Sequence, residues 1–265
     1  MFRTQASAAL FLLAGLAFAL LIGLPLAALL LRTLPGGVLG TYLVDEQVVR
    51  ALRLSLLTTA VTLALTLLFG TPLAYLLARR HFPGRGALET LVDLPMVLPP
   101  AVAGVALLMA FGRRGMLGPA LASLGIELPF TTAAVVMAQG FVAGPFYVRA
   151  ARAGFAGVDP TIEGVARTLG VSPLRVFWRV TVPLAAPGLL GGAVMTWARS
   201  LGEFGATIMF AGNFVGRTQT MPLAIYQALE SDLNVSLTLA TILVIASFAV
   251  LFLFRAAARR GLAGL

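Results

Sequence analysis

The chain has 265 residues, 59% hydrophobic and 11% charged, against about 25% charged in an average soluble domain. With a mean hydropathy of +0.97, that balance excludes a soluble enzyme and points to a membrane protein. The net charge of +9 rests on 19 basic residues, all of them Arg, so the lysine that a P-loop needs to hold nucleotide phosphates is missing.

Cys is absent and His81 is the one His, which rules out disulfides, thiol catalysis, thiolate metal sites and paired-histidine zinc sites. No metal site is expected. The Arg residues lie between apolar blocks rather than in one basic stripe, so they fit juxtamembrane anchoring better than nucleic-acid binding.

Six apolar blocks can each cross a bilayer core, which takes about 20 helical residues. They lie near 7–31, 54–78, 88–111, 130–149, 187–211 and 235–254. The first block is longer than a signal-peptide core and lacks a small-x-small cleavage site, so it reads as a retained helix. The third contains Asp93, Pro95, Pro99 and Pro100. Proline removes a backbone donor and clashes with the preceding turn, so this helix is expected to be broken or to begin late. Irregular backbone at membrane depth has to be buried in protein or line a cavity.

Counting Arg in alternate connections gives an orientation. Twelve fall on one side: Arg3, Arg79, Arg80, Arg85, Arg149, Arg152, Arg167, Arg175, Arg179, Arg255, Arg259 and Arg260. Six fall on the other: Arg32, Arg50, Arg53, Arg113, Arg114 and Arg217. Excess Arg marks the cytoplasmic face, so both termini are expected there.

The longest cytoplasmic connection is expected over 150–186. Within it, DPTIEGVARTLGVSPLRVFW at 159–178 reads as two short helices. Asp159-Pro160 opens the first as cap and first residue, and Gly170 closes it. Ser172-Pro173 opens the second, and Pro183 and Pro187 mark the return to the membrane. Val165, Ala166, Leu169, Val171, Leu174, Val176, Phe177 and Trp178 give an apolar surface among Arg side chains. A short amphipathic helix of this kind suits docking into a groove on a partner, or packing on the membrane surface.

This stretch resembles the EAA loop of ABC importer permeases, whose pattern is E-A-A, three residues, Gly, nine residues and I-x-L-P. Gly164-Val165-Ala166 stands at the triplet, Gly170 at the Gly, and Val180-Thr181-Val182-Pro183 at the last element. The triplet departs from the pattern, with Gly164 at its Glu and Glu163 one residue earlier. The resemblance implies that Glu163, Gly164, Val165, Ala166, Leu169, Gly170, Val182 and Pro183 belong to the coupling to a cytoplasmic ATPase. Segments 199–213 (RSLGEFGATIMFAGN), 216–226 (GRTQTMPLAIY) and 93–100 (DLPMVLPP) are similar to molybdate importer permeases, with tungstate and sulfate permeases close. The likeness runs from the second block to the end of the sixth.

Arg199 and Glu203 fall inside the fifth block, four residues apart and hence on one helical face. Charges at membrane depth are costly, so the two either neutralise each other while packing against another helix or face a pathway. Arg199, Ser200, Glu203, Phe204, Pro99 and Pro100 are the candidate pathway residues. Asp93 is expected to pair with a cytoplasmic Arg, cap the broken helix, or line the inner mouth. The outer connection Asn213–Asp232 is either a solvated link or a docking site for a binding protein.

The expectation is an all-α polytopic membrane protein of six transmembrane helices, a single permease domain over 1–265 with its coupling loop at 150–186. The resemblance implies the type I ABC importer permease fold in a prokaryotic inner membrane. It also implies a homodimer in contact with lipid, two copies of a cytoplasmic ATPase that uses ATP and Mg, and an external oxyanion-binding protein. No catalytic residue and no cofactor is expected in this chain. The substrate class implied is molybdate or tungstate, with sulfate or thiosulfate as the alternative.

Overall fold

A computed structural model describes residues 2–33 and 45–262, and among them every regular element is a helix. In chain order these are α1 (Phe2–Thr33), α2 (Glu46–Arg79), α3 (Arg85–Val97), α4 (Pro100–Phe111), α5 (Gly118–Ser123) and α6 (Thr132–Ala156). They are followed by α7 (Pro160–Thr168), α8 (Pro173–Val176), a π-helical turn (Phe177–Thr181), α9 (Val182–Leu201), α10 (Gly205–Ala211), α11 (Met221–Ser231) and α12 (Leu233–Leu262). Among the described residues five stretches are long and apolar enough to cross a membrane: 9–33, 46–79, 132–156, 173–201 and 233–252.

The third block is broken as its prolines predict. Its two helices, α3 and α4, meet at Leu98 and Pro99, both extended, with Pro100 opening α4. Proline forces the preceding residue out of the helical region, and two in succession end the helix. The fifth block differs from expectation at both ends. Its helix starts at Pro173, runs through the π turn into α9, and stops at Leu201; α10 follows after a three-residue break. Pro183 therefore sits in the first turn of α9 rather than at a return from a loop. The Val182 N–H donates to the Phe177 carbonyl, the wide ring of a π turn, and such bulges accommodate the bend that proline imposes.

Helix α6 is the centre of the molecule, with α2, α3, α4, α9 and α10 packed on it. Glycines on α6 and α9 line its contacts with α2 and α9. Gly140 and Gly144 face Thr62 and Thr66 of α2, and a Cβ on Gly188 of α9 would lie 2.7 Å from Gly154 Cα of α6. Gly192, one turn on, is nearly as tight against Ala150 and Tyr147. Without a hydrophobic force between helices in lipid, small residues at such positions give the backbone contact that holds a bundle.

A polar seam joins α2 to α6. Gln139 donates to Thr58 Oγ1 at 3.2 Å and accepts from Thr62 Oγ1 at 3.0 Å, while Thr71 Oγ1 and Tyr147 Oη lie 2.6 Å apart. Helix α1 lies at the edge on α12, its side chains exposed from Ala9 to Ala28, as a lipid-facing helix should be.

Candidate functional site: a capped outward-facing helix and two adjoining breaks

The connection between α6 and α9 is shorter than 150–186, because α6 runs on to Ala156 and α9 is already under way by Val182. What remains is α7 and its turn. Asp159 caps α7, its carboxylate accepting from Thr161 N–H at 2.8 Å. Chiefly through that bond, the Asp159 carboxyl is held below its usual range. At the other end Gly170 is left-handed, with φ +81°. The Gly170 N–H donates to Arg167 O and the Val171 N–H to Ala166 O, the paired bonds of a Schellman motif. Both ends of the helix are therefore where the sequence puts them.

The faces of α7 divide sharply. Ile162, Gly164, Val165 and Leu169 are exposed, Leu169 by 78%. Ala166 is half-buried, and Glu163 is the one buried residue of the helix. Glu163 Oε1 accepts from Arg79 of α2 at 2.8 Å and from Thr181 Oγ1 of the π turn at 3.0 Å. Of the predicted coupling set, Gly164, Val165, Leu169 and Gly170 thus form one outward surface. Glu163 faces the bundle, and Val182 and Pro183 lie half-buried in α9 rather than on that surface. Behind α7, Tyr75 meets Phe155 and Phe177 edge to face, and Phe155 and Phe177 lie tilted on each other, with ring centroids 5.0–6.0 Å apart.

The second feature is the break at Gly202–Phe204. Arg199 and Glu203 pair at 2.8 Å as expected, but not on one helix: Glu203 stands beyond the end of α9. Its other oxygen accepts from the Ala206 N–H at 2.8 Å, so one carboxylate neutralises Arg199 and caps the first turn of α10. This break adjoins that of the third block. A Cβ on Gly205 would lie 2.6 Å from Pro100 Cβ, and one on Gly104 would lie 2.5 Å from Met209 Cβ.

Arg199, Ser200, Glu203 and Pro100 therefore belong to one region, where α9, α10 and α4 meet. Pro99 is exposed at its edge, and Phe204 turns away onto Tyr226, with ring centroids 5.1 Å apart. Thr207, which sequence reasoning missed, adds a hydroxyl. Thr207 Oγ1 and Ser200 Oγ are buried without a hydrogen-bond partner among the described residues.

Asp93 does not pair with an Arg among the described residues. Glu89 takes both Arg85, at 2.9 Å, and Arg152, at 2.7 Å, and Asp93 lines the recess beside them. Nor does Asp93 cap either half of the broken helix, which is capped by Gly84 and Pro99. The span Asn213–Asp232 is not a slack link. It contains α11, whose Met221 N–H donates to Ser55 Oγ of α2 at 2.7 Å, and Gln227 accepts from both Gln219 and Asn213.

The model of the family described as binding-protein-dependent transport system inner membrane component matches residues 70–262. The chain belongs to that family. The match covers α7 and both breaks and leaves out α1. Among relatives of this inner membrane component, the "Molybdenum transport system permease protein ModB" of Mycobacterium tuberculosis is 46% identical over 195 residues, 74% of each chain. The "Probable transport system permease protein NifC" of Clostridium pasteurianum is 39% identical over 219 residues, 82% of this chain and 76% of that one. In architecture the chain shares its fold with a bacterial ABC transporter chain involved in import of the acidic polysaccharide alginate. There the TM-score is 0.76 at 15% identity, over 97% of this chain and 96% of that one.

Proposed function

We propose that this chain is the translocation subunit of an ABC importer for molybdate-class oxyanions, working as a homodimer. The observation that carries this reading is α7: a helix capped at both ends whose exposed face, Ile162, Val165 and Leu169, is apolar. Such a face outside the membrane suits a partner's groove. A cytoplasmic ATPase, one copy per permease subunit, supplies it. ATP and Mg belong to that partner, and this chain contributes no catalytic residue. Its termini lie in the cytoplasm, as the Arg distribution favours.

The transport step is a rigid-body switch of packed helices about a two-fold interface. The adjoining breaks of α3–α4 and α9–α10 line the pathway, since discontinuous helices are where transporters place irregular backbone and charge. Glu203 repels an anion, so Arg199 is shielded from tight binding and the anion passes on. Selection falls to the external binding protein, which docks where α11 folds back. The molybdenum names of several relatives support molybdate or tungstate as the cargo.

The test is ATP hydrolysis in nanodiscs holding this chain with its co-purifying ATPase. Binding protein loaded with molybdate, tungstate or sulfate is added in turn. Stimulation by the first two and not by sulfate is expected. Stimulation by sulfate alone would move the cargo to sulfate, and failure of any ATPase to co-purify would remove the importer reading.

A further inference from the structure

Glu163 is the buried residue of a helix whose apolar side chains point outward. A surface helix ordinarily does the reverse, burying apolar residues and exposing charge. Here α7 is held to the bundle by a carboxylate. That carboxylate joins three separate elements: Arg79 at the end of α2, Thr181 at the end of the π turn, and α7 itself. Arg79 also donates to the Val158 carbonyl at 2.9 Å, just before the Asp159 cap, so it holds both the chain entering α7 and the first turns of the helix. Arg167 approaches the second oxygen at 3.6 Å from the exposed side.

We propose that Arg79, Glu163 and Thr181 form the linkage through which a movement of α7 is passed to α2 and α9. They act as positioning residues for transport rather than as part of the docking surface. The inference rests on the reading that α7 docks an ATPase.

Three observations support it. The linkage is directional: each contact is a hydrogen bond to a charged group, strong and sensitive to geometry, where an apolar contact would let α7 slide. It is shielded, with Glu163 5% and Thr181 0% exposed, and charge pairs away from water are little weakened by screening. It is also placed at the root of both long helices. Thr181 ends the π turn, and π turns inside helices recur at functional sites. The turn carries both Phe177, in the aromatic cluster with Tyr75 and Phe155, and Thr181, bonded to Glu163.

The experiment uses the full complex in nanodiscs and compares Glu163→Gln, Arg79→Gln, Thr181→Val and Thr181→Ser with the unaltered chain. Two quantities are read: the ATPase co-purifying per permease, and the ratio of ATP hydrolysis with loaded binding protein to hydrolysis without it. The unaltered complex must first show co-purification and stimulation; if it does not, the importer reading falls, independently of the linkage.

Given that, the ATPase is expected to remain bound in every variant. In Glu163→Gln and Arg79→Gln the stimulation ratio should drop about fivefold or more, the size of an ordinary coupling between sites. The double variant should be no worse than either single one, as for groups acting as a unit. Thr181→Val, which exchanges the hydroxyl for a methyl of similar size, should weaken stimulation while Thr181→Ser retains it. If the charge variants do not fold, the Thr181 pair alone decides. Normal stimulation in Glu163→Gln or Thr181→Val overturns the proposal. So does loss of the bound ATPase with normal stimulation of what remains, since the linkage would then only present the docking face.

Discussion

Of the two charges in the Arg199–Glu203 pair, the carboxylate is 1% exposed and the guanidinium 31%. Parting them is therefore unequal. Removing Glu203 leaves Arg199 a route to solvent, whereas removing Arg199 strands a buried carboxylate, which costs about 3–5 kcal/mol. Arg199→Gln should lower the melting temperature well below that of Glu203→Gln, and the double variant should regain part of the loss. Equal melting of the two singles would mean that the pair is solvated. Gly164 makes the opposite case. A Cβ there meets nothing within 4 Å, so Gly164→Ala should stabilise α7 by about 0.5–1 kcal/mol through helix propensity. Slower hydrogen exchange of the α7 amides would register it. Glu163 shows the limit of residue-level reading: its partner Arg79 lies 84 positions away, and no local signal marks it as inward-facing.

At the scale of elements, the crossing of α6 and α9 depends on what glycine leaves out. A side chain at Gly188 would enter the backbone of Gly154, while Gly191, on the open side of the same helix, meets nothing. Gly188→Leu should prevent a stable bundle or lower its melting temperature by many degrees, and Gly191→Leu should leave it nearly unchanged. Similar behaviour of the two would show that the helices do not cross there. The break of the fifth block is another matter of neighbours. Nothing in RSLGEFGATIMF breaks a helix as proline does; the Gly202 and Gly205 positions only permit it. Glu203 turning to cap Ala206, and Pro100 closing on Gly205, stop the helix. By contrast, α7 was legible to the residue, since Asp159-Pro160 and Gly170 act through their own dihedrals and nearest bonds.

For the whole molecule, the exposed apolar face of α7 and the bundle are separable. Val165 and Leu169 are 55% and 78% exposed and touch little of the protein, so Leu169→Asp should reduce the amount of ATPase that co-purifies several-fold. It should leave the melting temperature of the isolated permease within about a degree, as expected for a surface change away from buried contacts. A matching fall in melting temperature would place Leu169 in the bundle's own packing. Helix α1, exposed along most of its length, lies outside the 70–262 match. The shared transport core and both candidate sites fall in the remaining helices.

Composition and hydropathy by themselves determined the membrane class and the approximate place of the first, second, fourth and sixth spans, because solvation in lipid depends on the segment alone. The fifth is displaced toward the N-terminus, over 173–201, and the third is not among the stretches long and apolar enough to cross. Caps, prolines and Gly170 likewise determined the break in the third block and the bounds of α7, through forces that act within a turn. Tertiary structure decided which face of α7 turns inward, where the fifth span breaks, that Glu89 rather than Asp93 takes the arginines, and that 221–231 folds back as a helix against α2. Each of these rests on a partner supplied by another element: Arg79 for Glu163, Pro100 for Gly205, Arg152 for Glu89, Ser55 for Met221. Buried polar groups need partners at membrane depth, and the chain finds them only once distant helices have packed.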